Sequence, residues 1–329
     1  MFKPERPVQR NIEHASDDLR EVNLMVRQAF ESTAGLSSEE LTICRRTVVH
    51  GIPAPVEISE AQNKLIGNLQ VCFELAQKRG LGDVVGWCMA AAQPVGIIAD
   101  GDDIDPVVLD YIRSVVPPPA KVLDVASGTG RFSLPLAEDG YTVTLLDPAA
   151  AFLEAALQRV GKDVAKNVES MICGTFGDLS RVASDSFEVC LCLGSIFYAH
   201  SKELAEQTLV HLGRIARRAV IVDVMSREGL ISRLDIEGFD TSAETVKQIL
   251  DTGVTPVASL ENGRVVYTCF SLPELRQAIS RSGLVIDRLL GFGGEDGMRD
   301  TDDQEYRSEL YPRLLALCRT HDVLKYDNG

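Results

Sequence analysis

Two aspartates and a glycine turn carry the clearest chemistry in the chain. The stretch "VLDVASGTGR" (122–131) climbs through apolar residues to Asp124 and then drops into Ala126, Ser127, Gly128, Thr129 and Gly130. Glycines at such a turn let the backbone approach a ligand closely, because no side chain intervenes. A carboxylate at the end of a buried strand needs a partner. Asp124 can therefore face a positive group on a ligand or order the loop. A second acid, Asp147, ends the next apolar run, "YTVTLLD". A carboxylate there can accept both hydroxyl hydrogens of a ribose.

These residues need a scaffold, and the pattern around them supplies one. Apolar runs alternate with helical segments from "KVLDVA" through "RFSLPLAEDG", "YTVTLLD", "AAFLEAALQRV", "SFEVCLCLG" and "ELAEQTLVHLGRIAR" to "AVIVDVM". That alternation predicts an α/β fold, a doubly wound parallel sheet with helices on both faces. In such sheets ligands bind beyond the carboxyl ends of the strands, near the point where strand order reverses. The turn at 126–130 occupies that place. Cys190 and Cys192 alternate with Leu191 and Leu193, so their side chains share one strand face.

Before "VVPPPA" (115–120), a stiff break, residues 1 to about 115 read as helical. Ser16 caps a helix with Leu19, Val22, Val26, Ala29 and Phe30 on one face. Ser59 with Gln62 forms a capping box ahead of the stripe Leu65, Ile66, Leu69, Cys72, Phe73 and Ala76, and Gly80 stops that helix. "VVGWCMAAAQPVGIIA" (84–99) reads as a buried helix followed by a strand or loop, too short and too interrupted to span a bilayer. The acidic turn "ADGDDIDP" (99–106) places Asp105 as a helix cap with Pro106 in the first turn, and its spacing does not fit a calcium loop. Between Ser226 and about Tyr267 the pattern loosens into a helical insertion. "SLPELRQAISRSG" resumes as a helix and "LVIDRLLG" as a strand. Residues 292–329 read as acidic and then helical.

Composition narrows the partners. The 329 residues carry 33 Lys+Arg against 48 Asp+Glu, a net charge of −15. Such a chain repels phosphate backbones and anionic membrane surfaces, so neither nucleic acid nor membrane is an expected partner. The opening "MFKPERPVQR" lacks the apolar core of a signal peptide, and the eight cysteines lack metal-ligand spacing. The expectation is reduced thiols in the cytoplasm. His14, His50, His211 and His321 share no spacing, so no metal is expected.

With these residues in view, the chain resembles the class I S-adenosylmethionine-dependent methyltransferases. "VLDVASGTG" resembles their first motif, "TLLDPAAAFLEAA" the second and "FEVCLCLGSIFYAH" the fourth. The likeness covers roughly 106–291, and "VMSREG" followed much later by "YTCFSLPELRQAISRSGL" is similar to the small-molecule branch, which carries a cap insertion. The resemblance implies a Rossmann-like sheet in 116–329, a cap at about 227–268, and a helical lid or dimerisation segment in 1–115, through which a homodimer would form. It implies S-adenosylmethionine as cofactor and S-adenosylhomocysteine as product. Asp124, Ala126, Ser127, Gly128 and Gly130 would line the methionine part and Asp147 would hold the ribose. Phe152 and Pro148 would pack on adenine, Thr175 and Phe176 would lie at its edge with Asp178 as second choice, and Leu193 and Gly194 would pass along the cofactor's other side. Ala126 replaces the first glycine of the family's loop. The family's last alternating strand has no clear counterpart: either "DVLKY" (322–326) forms it or the sheet lacks it.

Methyl transfer is an in-line displacement, so the protein mainly aligns the nucleophile, and a base is needed only when the acceptor must lose a proton. His200, after the fourth strand of the family order, is the candidate base, with Tyr198 beside it. Arg227 and Tyr267 are candidates for orienting a polar acceptor. Each has a plainer reading, His200 and Arg227 as helix-end residues, Tyr198 and Tyr267 as packing aromatics. The acceptor expected is a small, specialised-metabolite molecule methylated on O, N or C, and a peptide or protein side chain is the alternative. A nicotinamide oxidoreductase would also use Asp147, but Ser133 takes its third glycine position and Asp124 would repel a pyrophosphate. A non-enzymatic binding module on the same frame is the remaining reading.

Overall fold

The computed structural model describes residues 12–32, 35–50, 58–92, 104–236, 239–256, 258–260, 263–294 and 297–321. Among the described residues a two-residue strand, β1 (Glu13–His14), comes first, followed by the helices α1 (Asp17–Glu31), α2 (Ser38–His50), α3 (Glu60–Lys78), α4 (Gly82–Ala91) and α5 (Ile104–Val115). The alternating region follows as β2 (Lys121–Val125), α6 (Ser133–Glu138), β3 (Thr142–Asp147), α7 (Ala150–Arg159), α8 (Lys162–Ala165), β4 (Val168–Cys173), β5 (Phe187–Cys192), α9 (Lys202–Ile215) and β6 (Ala216–Ser226). Beyond it lie α10 (Arg227–Ile231), α11 (Ala243–Thr252), the hairpin β7 (Ala258–Leu260) and β8 (Gly263–Val265), β9 (Cys269–Phe270), α12 (Leu272–Arg281), β10 (Leu284–Gly294), β11 (Gly297–Asp300) and β12 (Arg313–Thr320).

The main sheet runs β1-β4-β3-β2-β5-β6-β12-β10-β11, with β9 against β6. Strands β2 to β6 pair in parallel, and β12 lies antiparallel between β6 and β10. Strand order reverses between β2 and β5, which places the ligand crevice of this topology at their carboxyl ends. Strand alternation sorts the side chains onto two faces. Val122, Val143, Leu145, Val189 and Leu191 pack with α1 to α5 and α7. Leu123, Val125, Cys190 and Cys192 pack with α9 and α12. The amino-terminal helices therefore share one continuous core with the sheet.

Local predictions hold where they rest on caps. Ser16 accepts the Leu19 N–H, and Ser59 and Gln62 make the reciprocal box. Gly80 follows α3 with φ +72°. Other expectations need correction. Residues 313–320, expected as helix, are a strand: "RLLALCRT" is β12, the sheet's missing member. Leu314, Ala316 and Cys318 enter one core and Leu315 and Leu317 the other. A strand buried on both faces reads as an unbroken apolar run, which periodicity alone cannot separate from a buried helix. Residues 322–326, the alternative strand, lie outside the described residues, as do 93–103. Asp105 is not the cap of α5 but sits inside its first turn, where it holds Arg131 (Nε to Oδ2, 3.0 Å). The insertion is only partly helical, since β7 and β8 form a hairpin within it.

The cap has its own small core of Leu230, Leu234, Phe239, Ile249 and Tyr267, joined by Phe197 and Met225. It is seated on the sheet by backbone contact. A Cβ at Gly229 would lie 2.0 Å from the Tyr311 carbonyl oxygen. Gly229→Ala is expected to lower stability by about 3 kcal/mol, because backbone must shift to admit the methyl. Gly67, on α3 with nothing near its Cβ position, should respond with the opposite sign, gaining about 0.5–1 kcal/mol as alanine. Urea denaturation of both variants checks the pair.

Candidate functional site

The strand ends bring the predicted acids and glycines together. Asp147, the last residue of β3, accepts the Gly128 N–H at 2.9 Å on one carboxylate oxygen and the Ala149 N–H at 2.9 Å on the other. It thereby fixes the glycine turn of β2 against its own turn. Ala126, Gly128 and Gly130 all have φ in the left-handed region, at +55°, +53° and +83°. A Cβ at Gly130 would meet Leu134 at 2.8 Å. Ala126 holds the same kind of conformation at a cost of about 1 kcal/mol that glycine would avoid.

The electrostatics of this cleft are unbalanced. Asp124 is buried, and burial pushes its carboxyl up to about 7, although the Ser133 hydroxyl donates to it. Burial likewise raises Asp147 to about 6, against the opposing effect of the Ala149 and Gly128 N–H groups. Among the described residues neither acid forms a salt bridge. Ser127 Oγ is buried without a hydrogen-bond partner. Space is open where Cβ atoms of Gly128 and Gly194 would stand. Two carboxylates without counter-charge, an orphaned hydroxyl and two open glycine positions fit a ligand that brings a cation and hydroxyl donors.

The rim is built from distant segments. Asn23 on α1 donates to the Pro148 carbonyl at 2.9 Å and accepts the Ala150 N–H at 2.9 Å. The Cys88 thiol on α4 and the Cys173 thiol donate to the same Pro148 carbonyl at 3.5 and 3.4 Å. Helices α1 and α4 thus lie against the turn that follows Asp147. Phe152 is buried in the core beneath it. Thr175 is held by Asp178, whose carboxylate accepts its N–H at 2.9 Å and its hydroxyl at 3.0 Å, so both residues are engaged in a local cap. Phe176 is partly buried against the second core.

After β5, Leu193 and Gly194 lead into a 3-10 turn, Ile196–Tyr198. Thr268, at the end of the cap, donates to the Phe197 carbonyl at 2.8 Å and to the Ala199 carbonyl at 2.6 Å. Aromatic rings gather here from three elements. Tyr198 lies 4.9 Å from Trp87 of α4, 4.6 Å from Phe197 and 5.5 Å from Tyr267, and Tyr267 lies 5.3 Å from Phe239. His200 is exposed and precedes Ser201, which caps α9 by accepting the Leu204 N–H. The histidine itself is therefore not the cap.

Comparison with known proteins joins this geometry to a family. Residues 122–218 match the family model described as a methyltransferase domain. That segment therefore reads as a methyltransferase domain. Human glycine N-methyltransferase is 26% identical over 216 residues, covering 60% of this chain and 65% of that protein, so less than two thirds of the relative's length is spanned. A SAM-dependent methyltransferase of Methanosarcina mazei is similar at 15% identity and a TM-score of 0.49, over 65% of this chain and 97% of that one. Magnesium protoporphyrin IX methyltransferase from Synechocystis PCC 6803, solved with bound SAM, is 15% identical with a TM-score of 0.43, over 93% and 98% of the two chains.

Asp124, Ser127, Gly128 and Gly130 stand at the carboxyl end of β2, Asp147 at that of β3, and Leu193 and Gly194 at that of β5. Arg227 does not stand free beside them. Its guanidinium is bound to Glu274 at 2.5 Å, and Lys202 reaches the same oxygen at 2.6 Å. Burial raises the Glu274 carboxyl, but the hydrogen bonds from Lys202, Arg227 and the Ser271 N–H outweigh it and bring the group down to about 2. A depressed carboxylate contributes stability above its unfolded value near 4.5 and loses it as pH falls toward 2. Glu274→Gln is expected to cost about 1 kcal/mol at neutral pH, a modest figure because the pair is part-exposed. The difference from wild type should shrink below about pH 4 in denaturation curves. Sequence reasoning singled out neither Asn23, which meets the turn after Asp147, nor Trp87, which meets Tyr198, nor Asp223, which accepts the Gly194 N–H and pairs with Arg313. A lone asparagine in the α1 stripe and a lone acid within "AVIVDVM" were the available signals for Asn23 and Asp223.

Proposed function

We propose that the protein transfers a methyl group from S-adenosylmethionine to a small, flat, largely apolar metabolite of specialised biosynthesis, at an O, N or C atom. The observation that carries this reading is the pair of buried acids, Asp124 and Asp147, that meet no counter-charge among the described residues, beside the open positions over Gly128 and Gly194 at the reversal point of the sheet. When bound, the cofactor supplies a methyl group already activated on a sulfonium. Asp124 balances the cationic end of the ligand, and Ser127 Oγ gains the partner it lacks. Asp147 accepts the ribose hydroxyls with the lone pairs left by Gly128 and Ala149. Pro148 and Phe152 form the floor under adenine, with Thr175 and Phe176 at its edge.

The acceptor lies against Trp87, Tyr198 and Tyr267, which α4, the turn after β5 and the cap contribute together. Aromatic walls of this kind orient a flat acceptor and exclude water, so alignment supplies most of the rate. His200 takes the acceptor's proton when the nucleophile must lose one. Arg227 is a tie between the cap and α12 through Glu274. Among the described residues no helix is long and apolar enough to cross a membrane.

Calorimetry with S-adenosylmethionine and with NADH tests the cofactor. Binding of NADH alone would overturn the reading. Release of S-adenosylhomocysteine in the presence of a panel of phenols, amines and carboxylic acids tests the acceptor. His200→Ala with undiminished turnover removes that residue from the mechanism.

A further inference from the structure

Asp223 is a fully buried acid in the middle of β6, surrounded along the strand by Ile221, Val222, Val224 and Met225. Its Oδ1 accepts the Gly194 N–H at 2.6 Å. Its carboxylate is also ion-paired with Arg313, which comes from the neighbouring strand β12, where Leu315 stands opposite Asp223 and Arg313 opposite Met225. The Arg313 guanidinium sits 5.1 Å from the Phe197 ring and 4.7 Å from the Phe292 ring. An ion pair buried this way is no better for stability than well-packed apolar residues of similar volume. Its placement therefore calls for another explanation.

Gly194 supplies one. It has φ +69°, outside the strand conformation, at the carboxyl end of β5. β5 lies between β2 and β6. The peptide joining Leu193 to Gly194 is trans, so its N–H and C=O point in opposite directions. With the N–H fixed on Asp223 toward β6, the Leu193 carbonyl faces the β2 side, where Asp124 and the glycine turn border the crevice. A carbonyl aimed there is an acceptor for an ammonium group.

We propose that Asp223 and Arg313 are positioning residues that hold the Leu193 carbonyl in the crevice as an acceptor for the amino-acid ammonium of the cofactor. This rests on the cofactor reading given above. Arg313 fixes the carboxylate of Asp223, Asp223 fixes the peptide, and the peptide presents the oxygen.

Calorimetry with two ligands tests it. S-adenosylmethionine carries the ammonium, whereas 5′-methylthioadenosine keeps the adenosine and sulfur but lacks the amino-acid part. The double variant Asp223→Val with Arg313→Leu removes both charges at once and leaves neither buried alone. It is expected to bind S-adenosylmethionine about ten- to a hundredfold more weakly than wild type, the size of one hydrogen bond to a charged group. Its affinity for 5′-methylthioadenosine should stay within about threefold of wild type. Asp223→Asn keeps an oxygen for the Gly194 N–H and should recover most of the loss; Asp223→Ala, which removes that acceptor, should show the same ligand-selective weakening and serves if the double variant does not fold. Equal weakening of both ligands, or no weakening of either, overturns the positioning role while the cofactor reading stands. Wild-type protein that fails to bind S-adenosylmethionine overturns the cofactor reading and this proposal with it.

Discussion

Asp147→Ala is expected to weaken S-adenosylmethionine binding by a hundredfold or more in calorimetric titration. Hydrogen bonds to a charged group contribute about 1.5–3 kcal/mol each. Loss of two such bonds, to the ribose hydroxyls, comes to at least about 3 kcal/mol, or a hundredfold in affinity. The same change strips the Gly128 and Ala149 N–H groups of their acceptor. The glycine turn then loses its tie to β3 and presents a less ordered surface to the ligand. Fold stability should fall far less, because removing a buried carboxylate relieves its desolvation while two amides lose their partner. Affinity within about threefold of wild type would remove Asp147 from the cofactor site.

What the sequence made legible is what depends on near neighbours. A strand-end acid followed by a glycine turn is read from a few consecutive residues, and Asp124, Gly128 and Asp147 all stand where that reasoning placed them. The caps at Ser16 and Ser59 are equally local. The rim is different. Asn23 and Pro148 are 125 residues apart, and no periodicity in α1 reveals that this half-buried polar residue meets the turn after Asp147. Arg227 was rightly placed after its strand, yet Glu274 of a later helix engages it. β12 escaped because burial on both faces erases the alternation that marks a strand. Ala126 could be seen to replace a glycine, but its φ of +55° belongs to the fold. Trp87 and Tyr198 sit on separate elements, and only the packing of α4 against the turn after β5 makes them one wall.

The cleft's charge imbalance leads to the second large effect, a pH dependence of cofactor binding with a definite sign. In the ligand-free protein the Asp124 carboxyl lies at about 7 and that of Asp147 at about 6, both raised by burial. Unfolded aspartates ionise near 3.8. The folded state thus holds these protons more tightly, so the two groups favour folding most at low pH. That contribution is lost as pH rises from about 4 through 7. Cofactor binding runs the other way, because only ionised Asp124 balances a cationic ligand, and binding should release protons near neutrality. Between about pH 8 and pH 5.5, protonation of Asp124 alone should weaken S-adenosylmethionine binding about thirtyfold. As pH rises through that interval the thermal shift on adding the ligand should grow, while the melting temperature of the free protein loses the contribution of these two groups. Asp124→Asn should bind weakly at every pH and lose most of the slope. An affinity that is flat from about pH 5.5 to 8 in the wild type would mean that Asp124 meets no cation, and it would leave Asp147, the hydroxyl-binding acid, compatible with a nucleotide of another kind.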